Sequence, residues 1–150
     1  MMIVHMAAIL LVAGSTKPTT SEVRVQPIAT SVCELVANPT NFDGKFVRFQ
    51  AQFETDYIER SLLFDKSCRG NGGLLPDVPA DTPGKKALDD AIDAARPSTE
   101  LDKTITATFT GIFHYSAEPE MCMFLNKETC RRYVTVTHIR DLVLMMKQKR

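Results

Sequence analysis

The sequence predicts a mainly β fold with one or two helices, and three observations carry that prediction. First, Phe42 to Asp56 (FDGKFVRFQAQFETD) opens on the turn pair Asp43-Gly44 and then alternates. Val47, Phe49, Ala51 and Phe53 fall on one face; Arg48, Gln50, Gln52 and Glu54 fall on the other. A period of two is that of a strand with one dry side and one wet side. Second, Thr104 to Tyr115 and Arg132 to Leu144 are rich in threonine, valine, isoleucine and phenylalanine, which suit a pleated surface. Third, only two stretches carry helix signals.

Taken in order, Thr30 or Ser31 caps a short helix over Val32 to Ala37, with Glu34 in its first turn. Asn38-Pro39 ends it, because proline disfavours helix in the residue before it. The long strand runs from Lys45 to Asp56. Tyr57 to Arg60 is a short connection, and Ser61 to Asp65 returns as the second arm of a hairpin. Lys66 to Gly73 is a glycine-rich loop holding Cys68. Leu74 to Val78 is a short strand that Pro76 keeps at an edge. Thr82 as cap and Pro83 as first residue start the second helix, with Leu88, Ala91, Ile92 and Ala95 along one stripe and Pro97 as its stop. Within Thr104 to Tyr115, Gly111 marks a bend or bulge. Ser116 to Arg131 is a long loop, and Arg132 to Leu144 is the last strand, with Val134 and Val136 facing one way.

The resulting order is strand, strand, short strand, helix, strand, strand. That is the element order of an OB-fold, a five-stranded, partly open Greek-key barrel. The alternative is an open antiparallel α+β sheet. The Cys33 helix ending in Asn38-Pro39, then Phe42-Asp43-Gly44-Lys45, the long strand and Cys68 together resemble small exported bacterial proteins of uncharacterised function with OB-like folds. The resemblance covers residues 33 to 68 and implies no activity.

Ile3 to Ala13 is apolar apart from His5 and is too short to span a bilayer. It ends in Ala13-Gly14-Ser15, small residues of the kind a signal peptidase accepts. The chain therefore divides into a signal peptide (1–15), a flexible leader (16–29), one domain (30–146) and a basic tail (147–150). Cleavage leaves no stable membrane anchor, and the expected location is periplasmic or secreted. Cys33, Cys68, Cys122 and Cys130 all follow the cleavage site, so they read as two disulfides. Three pairings are possible. Cys122 and Cys130 are close in sequence, which leaves Cys33 with Cys68. On the loop-entropy model the short bridge contributes about 2.5 kcal/mol and the long one about 3.8 kcal/mol.

The net charge is zero, with 18 basic and 18 acidic residues, which argues against a sequence-independent nucleic-acid binder. His114, Cys122, Cys130 and His138 carry zinc-ligand chemistry but lack tight ligand spacing, and oxidising conditions favour the bridge. No metal or cofactor is expected. Gly70-Asn71-Gly72-Gly73 lacks the residues of a phosphate-binding loop. Glu54, Asp56, Glu59 and Asp65 gather at the hairpin, where paired carboxylates could serve as acid and base. The reading is a non-enzymatic binding or interaction module whose ligand sequence alone does not identify: another protein or an oligosaccharide. A small hydrolase using the hairpin carboxylates, and an inhibitor or immunity-type protein, are the alternatives. OB-folds bind through the first hairpin loop and the loop before the last strand, so Tyr57, Arg60, Phe124 and Arg131 are the candidate binding residues.

Overall fold

The computed structural model describes residues 25–56, 60–97, 101–116 and 127–148. Strand β1 is Ile28–Ala29, and it is followed by helices α1 (Val32–Ala37) and α2 (Pro39–Phe42). Then come β2 (Phe46–Thr55), β3 (Ser61–Phe64), a 3-10 helix (Lys66–Asn71) and β4 (Leu75–Asp77). Helix α3 is Lys85–Ala94, β5 is Leu101–Tyr115, α4 is Lys127–Cys130 and β6 is Arg132–Gln148.

The fold is mainly β, as the periodicity predicts. The strands form one open, mixed, six-stranded sheet ordered β1-β2-β5-β6-β4, with β3 on β2. A closed five-stranded barrel is not what this sheet makes. Nor is it the purely antiparallel sheet of the alternative, because β1 runs parallel to β2 and β4 parallel to β6. Past the ladder, β3 and the residue just before β4 meet at one bridge, where Leu63 and Leu74 exchange backbone bonds of 2.9 and 2.8 Å.

The alternation of β2 is realised residue by residue. Val47, Phe49, Ala51 and Phe53 are buried, and the residues between them are not. Across the ladder Phe49 faces Phe109 and Phe53 faces Ile105, so the dry faces of β2 and β5 coincide. The Phe49 and Phe109 rings lie 6.1 Å apart at the centre of the core. Val32 and Leu35 of α1 and Leu88 and Ala91 of α3 join that core.

Ser31 caps α1 as expected, accepting from the Glu34 N–H at 3.1 Å. Helix α3 starts two residues later than its sequence signals suggest. Thr82 does not cap it with its side chain; the hydroxyl instead donates to the Val136 carbonyl at 3.3 Å, and Thr82 is buried. Gly84 takes the cap position at φ 89°, and a Cβ there would collide with the Ile139 carbonyl. The bulge expected near Gly111 is present as a register shift between Thr110 and Gly111. Two sequence boundaries shift. Ile28 and Ala29, assigned to the leader, pair with Val47 and Arg48. Lys147 and Gln148, assigned to the tail, pair with Asp102 and Leu101.

Candidate functional site

The face of β2 opposite the core is not uniformly wet. Gln52 sits between Phe64 of β3 and Thr106 of β5 in the ladder. Residues directly opposite one another share a face, so these three side chains converge. They lie beneath a clasp. Cys33 of α1 and Cys68 of the 3-10 helix form a disulfide, Cα to Cα 5.7 Å, as expected. The clasp leaves a cleft of about 350 Å³. One wall is Thr30 and Ser31, three and two residues before Cys33; the other is Phe64, Asp65 and Lys66, just before Cys68. Gln52 and Thr106 form the floor.

Both walls are held by their own hydrogen bonds. Thr30 donates to the Glu34 carboxylate at 2.7 Å. Asp65 accepts from the Ser67 hydroxyl at 2.6 Å and the Ser67 N–H at 2.8 Å, which holds its carboxyl below the usual range. The Arg69 guanidinium lies 4.5 Å from the centre of the Phe64 ring and pairs with Glu54 at 2.7 Å. The floor is different. Gln52 Oε1 and Thr106 Oγ1 are buried, and neither has a hydrogen-bond partner. Buried polar atoms are nearly always paired, because an unpaired one costs about 1–3 kcal/mol. Both atoms are closed to solvent, so a guest in the cleft reaches them once the Gln52 or Thr106 side chain turns toward it.

Of the four candidate binding residues, Arg60 and Arg131 lie among the described residues, at opposite ends of β5. Tyr57 and Phe124 lie outside the described residues. Arg60, beside the hairpin, is close to Asp56: its N–H donates to Asp56 at 2.9 Å and its side chain lies 3.9 Å from the carboxylate. Arg131 donates to the Ser116 carbonyl at 2.9 Å and to Glu128 at 3.0 Å, and lies over the Tyr115 ring. The hairpin adjoins the Ile105 end of β5 and Arg131 adjoins its Tyr115 end, about 33 Å of strand apart at 3.3 Å per residue.

A second, smaller cleft of about 190 Å³ gathers Glu54, Asp56, Arg60 and Ser61. It brings together two of the four hairpin carboxylates, but Glu54 is ion-paired to Arg69 and Asp56 holds the Arg60 N–H. Asp65 faces the other cleft with its carboxyl pushed down, the wrong direction for a proton donor. Glu59 lies outside the described residues. The His114 ring stacks on Tyr133 at 4.4 Å and its Nε2 lies 3.4 Å from the Thr135 hydroxyl. The expected Cys122–Cys130 bridge rests on Cys122, outside the described residues; Cys130 itself is buried. No helix among the described residues is long and apolar enough to cross a membrane.

The sequence reading missed Gln52 and Thr106. Both were placed on strands, but alternation alone assigns Gln52 to solvent. The signal that could have found them is the Cys33–Cys68 pairing, which brings two polar segments over the middle of β2. Comparison with known family models, with curated proteins and with solved structures found no match to this chain.

Proposed function

We propose that this chain is an exported, disulfide-stapled binding module with an OB-like architecture, and that it takes a neutral polyhydroxylated ligand, such as an oligosaccharide unit, in the clasped cleft. The single observation that carries the reading is the floor: Gln52 Oε1 and Thr106 Oγ1, buried and unpartnered, side by side across β2 and β5. Gln52 Oε1 can only accept and the Thr106 hydroxyl can do both, which suits a guest rich in hydroxyl donors. The walls add hydroxyls and an aromatic side chain, and among the described residues the charged groups lining the cleft are one carboxylate, already engaged by Ser67, and one ammonium. That near-neutral lining favours an uncharged guest. The volume is in the range of small-molecule sites.

The OB-like reading is supported by connectivity. Strand β4 runs parallel to β6, α3 lies between β4 and β5, and the Leu63–Leu74 bridge turns β3 toward β4. These are the neighbours that a five-stranded Greek-key barrel requires. Export is supported by the apolar start of the chain and by the Cys33–Cys68 bridge.

The test is a screen of neutral and acidic oligosaccharides by isotope-edited NMR on the oxidised chain. A bound neutral glycan should shift the Gln52, Phe64 and Thr106 amides first. Thr106→Val should weaken that binding about tenfold, the loss of one hydrogen bond, while raising stability by about 0.5–1 kcal/mol, because it removes an unpaired buried hydroxyl. Shifts confined to the hairpin or to the Arg131 end, or a Thr106→Val variant that binds normally, would overturn the site.

A further inference from the structure

Strand β6 outruns its neighbour. Strand β4 pairs with it at Tyr133, Val134 and Thr135, and Pro83 takes the Ile139 N–H; beyond that, no described strand lies on this side of β6. The far end, Val143 to Gln148, is held from the other side by β5. It carries Val143, Met145 and Met146 at 51, 43 and 59% exposure and contains no proline or glycine. Natural edge strands are blunted by proline or lysine, by bulges, by inward charges or by a cover. Here a bulge stands at one end, with Asp141 at φ 54°, and Lys147 stands at the other, which leaves the apolar run Leu142 to Met146 between opposite charges.

We propose that this edge pairs antiparallel with the same edge of a second copy of the chain, about a two-fold axis at Leu144. The charge order selects the direction. Parallel pairing sets Asp141 on Asp141 and Lys147 on Lys147. Antiparallel pairing about Leu144 sets Val143 opposite Met145 and Leu142 opposite Met146, and brings Asp141, at the bulge, toward Lys147 twice. The face assignments agree: Val143 and Met145 oppose Thr106 and Thr104 on β5, so both stand on the cleft side of the sheet. The 3.9 Å contact of Asp141 with Arg140 is between exposed groups and does not compete strongly. Opposed residues in an antiparallel pair share a face, so the two clefts would open on the same side of one continuous sheet. Two clefts in a fixed relation would bind a repeating ligand with avidity. The pairing itself does not depend on what the cleft binds.

The test is sedimentation equilibrium of the oxidised chain, with thermal melts of each variant. The expected result is a concentration-dependent dimer. Val143→Glu and Lys147→Glu should each weaken it roughly tenfold, since the two-fold axis doubles every unfavourable contact, and leave the monomer's melting unchanged. For register, a mixture of Val143→Cys and Met145→Cys chains should cross-link faster than either chain alone, because only the mixed pair is directly opposed. A monomer at every concentration, a dimer indifferent to both glutamates, or equal cross-linking by the single chains would each overturn the proposal.

Discussion

Arg132 is a buried cation held by carbonyls. It is 3% exposed, and its guanidinium donates to the backbone oxygens of Glu128 (2.8 Å), Asn71 (3.2 Å) and Val36 (3.4 Å). Burial pushes its pKa down, and the Glu128 charge opposes that shift. One side chain thus joins α1, the 3-10 helix and α4 to the start of β6. Arg132→Met should cost about 3–5 kcal/mol in urea unfolding, since three carbonyls lose their donor at once; a cost under about 1 kcal/mol would mean water replaces it. An arginine at the start of a strand is ordinarily expected outside. Its parity says otherwise: it shares a face with Val134 and Val136, both buried. Alternation was legible there and was outweighed by the expectation that charge stays outside.

Among the elements, β2 was the most legible and the 3-10 helix the least. An alternating strand reports its burial in its spelling, whereas Lys66–Asn71 reads as loop because its order comes from a cap and a disulfide. The cap is Asp65, whose carboxyl holds both polar hydrogens of Ser67. Its folded pKa lies below its ordinary value, so its contribution is present above the unfolded pKa of about 4 and is lost as pH falls through the folded value. Asp65→Asn should therefore flatten the stability profile between about pH 5 and pH 3, most of the difference appearing at neutral pH. Chemical denaturation across that range checks it. If the variant and the parent lose stability in parallel, the cap contributes nothing. The start of α3 was misread for a related reason. Thr82 has the chemistry of a cap, but a buried carbonyl at Val136 claims its hydroxyl, and Gly84 is the residue that fits against Ile139.

Over the whole molecule, the Cys33–Cys68 bridge closes a loop across 35 positions and joins α1 to the 3-10 helix after β3. Replacing both cysteines with serine should lower stability by about 3–4 kcal/mol on the loop-entropy model. Ligand binding should fall further than that loss of folded fraction explains, because both cleft walls lie next to the bridge. Equal losses would show that the walls hold themselves. The sequence by itself determined the strand faces, the pairing of Cys33 with Cys68 and the two main helices, since each is written in local spacing or in residue chemistry. Tertiary structure alone decided that the sheet stays open, that Gln52 is half-buried while Gln50 and Glu54 on either side of it are exposed, and that Arg132 lies inside. Those outcomes depend on which segments meet across long stretches of chain, and no period of two or of 3.6 encodes a neighbour fifty residues away.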